Sequence, residues 1–488
     1  MAQKSFPTQD GPLHLYYADV VTHLLRGDST YSHYFTVKHW LPPYAFHAYL
    51  LVALNGLVAS LMAEKLLVSL YTIWFCLAFR YLVHSVNPEN HLLPLMAFPF
   101  VHNKQVYLGF FNFSFGVAAA LLLAGYWLRH YDRLTWKRSV VFFSMIGLLG
   151  LTHPVALFVA LMFIGVHSGL GVLAHLRDRR SPILWRTLLH VAAAAVCSAV
   201  WVLGFTQEGG YTLMPNPFRL GALIAMGSLA AFRQAPYRIL LSVPAAAVAV
   251  LGIARWITDR RSRFSQDGAL AITAGLCVAM FALGPFEVNH GAYFYERFPI
   301  FALAFTTAFA AGAALRPVLE RRFTVALGLV ACVSLSWQAV MKHRIINDLA
   351  QVYDSPPAPA HEKAVIIGSE PWVKWAGAPV NFDPYVWAGA HYLRRSKAVL
   401  MNGAWLDAPI SMIEPRAPHT CSYSDPYPMA ECLSGVNGKP TIPAPELAVA
   451  VDEHRGAPEP ISTEGLAKSM GLVRLPIRAG YLSFYGRR

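Results

Sequence analysis

Apolar residues in this chain fall into runs far longer than the buried stripe of a soluble helix needs. They lie near 45–62, 66–86, 108–128, 139–151, 153–175, 187–206, 236–254, 268–285, 297–315 and 323–341. Runs of this length approach the ~20 residues that cross about 30 Å of hydrocarbon. The pattern predicts a mainly α protein: a polytopic bundle of about ten transmembrane helices. The stretch 91–101, interrupted by Pro94 and Pro99, reads as a half-inserted segment. The run 139–151 is short and fits a broken or tilted helix, separated from the next run by the turn Thr152–His153–Pro154.

The polar positions between the runs give a topology. Composition agrees with the membrane class: 55% of the 488 residues are hydrophobic and only 14% charged, against about a quarter charged in soluble chains. Fifteen of the 40 Lys and Arg residues sit in four short loops, 129–138, 177–186, 255–263 and 316–322. Two apolar runs separate each consecutive pair of these loops, so all four can face the cytoplasm, as the positive-inside pattern requires. The net charge of +13 therefore reports topology and not a nucleic-acid surface. Residues 1–44, 87–107, 207–235, 286–296 and everything after 344 then lie outside. An outer loop of 44 residues with no signal peptide before it is unusual. The expectation is a misplaced gene start and a missing first helix.

After Arg344 the sequence becomes rich in Pro, Gly and charge, with a linker at Ser355–Pro359. The expected division is a membrane domain over 1–344 and a small extracytoplasmic mixed α/β domain over 345–488. Strand-like runs are Ala364–Ile367, Ala398–Leu400, Leu472–Leu475 and Tyr481–Phe484, and 436–461 reads as loop. Trp372, Trp375, Trp387 and Trp405 are available for packing or for stacking on sugar. Four cysteines (Cys76, Cys197, Cys277 and Cys332) lie in apolar runs. Cys421 and Cys432 stand alone in the polar tail, either as a disulfide in an oxidising compartment or as two thiols.

Candidate chemistry collects on the outer face in three clusters. The first is Asp10 with His14. Leu15, Ala18, Val21 and Leu25 recur near the helical period, so Asp10 sits where an N-cap belongs, with Pro12 in the first turn. The alternative to a cap is a carboxylate held at the membrane surface as a general base. The second cluster is His102, Asn103, Lys104 and Gln105, ahead of the run from 108. Lys104 is placed either to pair with a phosphate at headgroup depth or to snorkel. Asn112 lies inside the following run, where a buried amide marks helix packing or a lined cavity. The third cluster runs from Glu287 to Pro299, with His290, Glu296 and Arg297. It fits an anion site at a helix start or a surface pairing of Glu296 with Arg297 among belt aromatics. His153, at an outer turn, reads as structural.

These segments carry a resemblance. The stretches DGPLHLYYADVVTHLL (10–25) and YSHYFTVKHWLPPYAFHAYLL (31–51) resemble the first outer loop and second helix of GT-C-type membrane glycosyltransferases. NKQVYLGFFNFSFG (103–116) and YERFP (295–299) are similar to bacterial members with a D-x-P-x-H opening. The resemblance implies a polyprenyl-phosphate-linked sugar as donor and an Asp in the first outer loop as base. By position that base is Asp10, beside His14, with Lys104 and Arg297 as phosphate partners and Asn103, His290 and Glu296 around the donor. No cofactor is implied. The first loop lacks an acidic pair, and Asp19 lies nine residues on, so the divalent-metal site of some relatives is not expected.

The function expected from this reading is sugar transfer from the carrier to an envelope acceptor. It occurs on the outer face of a bacterial inner membrane, by inverting attack with Asp10 as base. The acceptor is a glycan, lipid or protein. The alternative is a non-enzymatic membrane protein, either a lipid-linked glycan transporter or an assembly partner. A transporter calls for charges at mid-membrane and internal repeats. Few such charges occur: Glu64, Lys65 and Arg80 lie near run ends or a short loop.

Overall fold

A computed structural model describes residues 5–37, 45–175, 182–203, 211–212, 219–259, 267–288, 293–313, 317–350, 363–367, 382, 387–400, 413–415, 447–451, 467–468, 472–479 and 482–486. His290, Cys421 and Cys432 lie outside these residues, as do Trp372, Trp375 and Trp405. The helices begin with α1 (Gly11–Leu25), α2 (Ser29–Tyr34), α3 (Phe46–Asn55) and α4 (Ser60–Val86). Two short ones follow, α5 (Ala97–Phe100) and α6 (Lys104–Tyr107), then α7 (Phe111–His130), α8 (Trp136–Thr152), α9 (Pro154–His175) and α10 (Pro182–Leu203). The remainder are α11 (Arg219–Ile224), α12 (Ala235–Thr258), α13 (Gly268–Leu283), α14 (Pro299–Ala310), α15 (Pro317–Asp348) and α16 (Gly389–Ser396). The strands are β1 (Phe35–Val37), β2 (Tyr211–Thr212), β3 (Glu287–Val288), β4 (Lys363–Ile367), β5 (Val399–Leu400), β6 (Ile413–Pro415), β7 (Leu447–Val451), β8 (Val473–Ala479) and β9 (Leu482–Gly486).

Among the described residues, five helices are long and apolar enough to cross a membrane: Ser60–Val86, Phe111–Arg133, Pro154–Leu173, Ala235–Thr258 and Val318–Asn347. Other apolar runs make shorter helices. The run 297–315 yields the 12-residue α14, about 18 Å long at 1.5 Å per residue. The run 45–62 is divided. α3 closes at Gly56, whose N–H bonds to Val52, and a new helix starts at Ser60. Gly is a poor helix former, whereas Leu, Met and Ala on either side of Glu64 and Lys65 propagate one. Those two charged residues, read from sequence as a short loop, therefore lie in the first two turns of α4.

The chain groups into two compact units. The first comprises Met1–Ser69, Tyr107–Phe110 and Ala339–Arg488; the second comprises Leu70–Val106 and Phe111–Gln338. In the second unit α7 is the central helix, buried at nearly every position from Phe111 to Trp127. It packs on α8 and α9. A Cβ on Gly116 would lie 2.9 Å from the Ala156 Cβ and 3.1 Å from the His153 Cβ, so the small residue sets the α7–α9 approach. Asn112 is buried on the same helix. At the far end of α12, Arg255 donates to the Phe309 carbonyl and to the Asp267 carboxylate at 2.8 Å.

In the first unit, α1 packs against α3 and α16. β1 pairs antiparallel with β6, Phe35 opposite Pro415 and Val37 opposite Ile413. A five-stranded sheet has the order β5-β4-β7-β9-β8, with β4 parallel to both neighbours and β9 antiparallel to both of its own. α16 connects toward edge strand β5 and ends at Lys397, which takes the left-handed conformation (φ 53°) that closes a helix. The β1–β6 pairing joins the segment after α2 to a strand far along the C-terminal part of the chain.

Candidate functional site

Asp10 occupies the N-cap position of α1, as the sequence suggested, but its carboxylate makes no capping hydrogen bond. The helix starts at Gly11. The Asp10 carbonyl accepts from Leu13 and His14 at 3.1 and 3.0 Å. The carboxylate is left for other work. Its backbone is held by a strand-like exchange: Gln9 N–H donates to the Tyr107 carbonyl at 2.9 Å, and Asp10 N–H to that of Leu108 at 3.2 Å. Gly109, at φ +85°, completes the clamp. A Cβ there would sit 2.9 Å from the Asp10 Cβ and 2.9 Å from the Gly11 nitrogen. Only glycine combines that backbone conformation with that approach.

Asp10 is 4% exposed. Burial pushes its carboxyl up to about 8, opposed by a hydrogen bond with the Gln9 side chain. A carboxylate removed from water favours its neutral form. His14, one turn on, contacts the His47 ring edge-on at 4.3 Å between centroids. Loss of water, then the neighbouring His47, hold His14 well below the ordinary imidazole range, against a hydrogen bond with the Gly109 backbone. Gly109 thus touches both Asp10 and His14.

Glu64 joins this group, and sequence reasoning missed it. It is fully buried on α4. A Cβ on Gly11 would run into Thr8 Oγ1 and lie 2.6 Å from Glu64 Oε1. Glycine at position 11 therefore admits the Glu64 carboxyl beside the start of α1. The one signal in the sequence was an acid within an apolar stretch. Asp19 is separate: it pairs with His23 at 3.9 Å and accepts from Ser60 at 3.4 Å. Farther along α1, the Tyr16 hydroxyl donates to the Ala398 carbonyl at 2.9 Å and accepts from Leu400 N–H at 2.7 Å.

The second unit holds Lys104 and Arg297. Lys104 is buried, with Nζ 2.5 Å from Glu296 Oε2 and 5.1 Å from the Tyr293 ring centroid. Tyr293 has φ +57°, an outlier for a bulky residue of the kind that collects at functional sites. Asn103 shapes the turn that presents Lys104: its Oδ1 accepts from Gln105 N–H at 2.9 Å and its amide donates to Phe100 at 3.1 Å. Gln105 donates to the Glu296 carbonyl at 3.3 Å. Glu296 thus pairs with Lys104, and not with Arg297 as the surface-pairing alternative had it. Arg297, in a 3₁₀ turn ahead of α14, is buried with its Nη1 3.0 Å from His153 Nε2. The structure brings Asn103, Lys104, Glu296 and Arg297 together in one unit, and Asp10 and His14 together in the other.

Solved structures of ArnT from Cupriavidus metallidurans share this fold. The apo structure aligns over 99% of this chain and 94% of that one, with TM-score 0.54 and 12% identity. The structure of ArnT bound to undecaprenyl phosphate aligns over the same shares, with TM-score 0.55 and 13% identity. No family model and no curated protein matches the chain.

Proposed function

We propose that this chain is a membrane glycosyltransferase that moves a sugar from a polyprenyl-phosphate donor to an envelope acceptor. It does so on the outer face of a bacterial inner membrane, within a bundle of about ten crossings that leaves residues 345–488 outside. The acceptor hydroxyl attacks the anomeric carbon as the bond from that carbon to the phosphate oxygen breaks, which inverts the centre. The hydroxyl proton passes to Asp10, with His14 beside it, and the carrier departs as its phosphate. Lys104 and Arg297 stabilise the charge that develops on the leaving oxygen. No nucleotide and no metal enters this scheme.

The observation that carries the reading is the state of Asp10: an acid at a helix start that caps nothing, nearly buried, and clamped by Gly109. A structural cap would spend its oxygens on the helix. The undecaprenyl phosphate bound by the C. metallidurans ArnT structure supports the carrier class.

The test incubates purified protein with labelled polyprenyl-phosphate sugars and an envelope acceptor fraction. Release of carrier phosphate by the wild type, lost in Asp10→Asn, is the expected result. No release with any donor, or release indifferent to Asp10, overturns it in favour of a lipid-linked glycan transporter or an assembly partner.

A further inference from the structure

Asp10 ends a segment, residues 5–10, that has neither helix nor strand structure of its own. Such a segment keeps its place only through the partners that its backbone and side chains find. On one side the Gln9 and Asp10 N–H groups donate to the Tyr107 and Leu108 carbonyls at 2.9 and 3.2 Å. On the other side stands α4, and the residue it presents is Glu64.

Glu64 is fully buried, and an acid is rarely held out of water without polar company. The donors that reach it are the Phe6 amide and the Thr8 hydroxyl, with Arg394 of α16 and Lys65 within electrostatic range. No single well-aligned hydrogen bond closes on either carboxyl oxygen or on Thr8 Oγ1. The carboxyl thus attracts two donors of the segment and is monopolised by neither. The junction is also tight. The space that a Cβ on Gly11 would take is bordered by Thr8 Oγ1, by Glu64 Oε1 at 2.6 Å and by Thr8 Cβ at 3.3 Å. Phe6, Thr8, Asp10, Gly11, Glu64 and Gly109 all belong to the first unit.

We propose that Glu64 is a positioning residue for Asp10. It holds Phe6–Gly11 against α4, so the segment is clamped between Glu64 and Gly109 and the Asp10 carboxyl keeps one place and one degree of burial. The proposal rests on the reading of Asp10 as base given above. An apolar side chain of similar length would be buried at Glu64 at lower cost, but it would leave the Phe6 amide and the Thr8 hydroxyl without their acceptor. Placement matters because a shift of about 1 Å in a reacting group can cost about 10²-fold in rate.

Initial rates of sugar transfer by the full-length protein are measured with a labelled polyprenyl-phosphate sugar and the envelope acceptor fraction, alongside thermal melts. Glu64→Met keeps the reach of the side chain and removes both oxygens, whereas Glu64→Gln keeps one acceptor. The expected result for Glu64→Met is a kcat lower by about tenfold or more, with KM within about twofold and no matching loss of Tm. Glu64→Gln keeps kcat within about threefold. The rise of kcat/KM with pH, set near 8 by the buried Asp10 carboxyl, moves to lower pH in Glu64→Met as the loosened segment admits water. Should Glu64→Met fail to fold, Thr8→Val, which deletes only the hydroxyl, carries the same test. Wild-type turnover and an unmoved pH profile in Glu64→Met, while Asp10→Asn is inactive, overturn the positioning role and leave the base reading standing. If Asp10→Asn turns over as the wild type does, the base reading falls and takes the positioning role with it.

Discussion

Tyr16 stands in for a missing strand beside Leu400. Its hydroxyl accepts the Leu400 N–H and donates to the carbonyl of Ala398, the two bonds a neighbouring strand would supply to the open edge of β5. One fully buried phenol thus fastens α1, the helix that begins beside Asp10, to the C-terminal sheet. Tyr16→Phe leaves a buried donor and a buried acceptor unpaired, at a cost of about 1–3 kcal/mol. The expected outcome is a lower Tm in detergent together with slower sugar transfer, and a drop in Tm alone would confine Tyr16 to a structural role.

Asp10 gives a pH prediction with a definite sign. Its carboxyl, raised to about 8, is protonated at neutral pH and cannot take a proton until the pH passes that value. The kcat/KM of the wild type should climb as pH rises through about 8 and then level. Asp10→Asn should lower it by about 10²–10⁴-fold and flatten the profile. Initial rates from pH 6 to 9.5 settle the point.

The same shift predicts a stability effect in the opposite sense to most surface acids. The unfolded chain loses this proton near 3.8 and the folded chain near 8. The folded state therefore loses stability as pH rises from about 4 to 8, and below 4 the contribution is fully retained. Asp10→Asn should unfold at a higher temperature than wild type at pH 8.5, and the advantage should vanish near pH 4. Thermal melts at the two pH values test it.

Gly109→Ala asks a non-glycine residue to hold φ +85°, which costs about 1–2 kcal/mol, and drives a methyl into Asp10. Transfer should fall at least tenfold, as about 1.4 kcal/mol of misplacement produces, while undecaprenyl phosphate affinity is retained. Weakened carrier binding with intact turnover would contradict the assignment of this glycine to the base.

Lys104 and Glu296 invite a double-mutant test. Both side chains are nearly buried, so Lys104→Met strands a carboxylate at a cost of about 3–5 kcal/mol. Adding Glu296→Gln should return most of the lost Tm but none of the activity. Recovery of activity along with stability would make the lysine a structural partner only.

Much of the bundle was legible because hydrophobic run length is set locally. The runs at 108–128, 153–175 and 236–254 became α7, α9 and α12 almost in place. The break after Asn55 was not legible, because apolar residues flank it on both sides and only Gly56 marks it. Asp10, Lys104 and Arg297 stood out as charges at predicted helix ends. Glu64 did not, since nothing in a lone acid near Lys65 tells that Gly11, far away in the chain, makes room for it. Gly109 and Tyr16 were invisible for the same reason: a positive φ and a hydroxyl spliced to a strand edge are properties of the assembled molecule.

The contact between Tyr16 and Leu400 joins residues 384 positions apart, and β1 waits on β6 over a similar span. A ribosome delivers α1 first and its fastening almost last, after the intervening apolar helices have entered the bilayer. Every nascent or prematurely ended chain therefore carries Asp10 without the sheet that steadies its helix. The order of synthesis leaves the start of the chain without its C-terminal fastening until the last strands are made, so the connectivity itself makes an intact C-terminus a condition for a finished N-terminal helix.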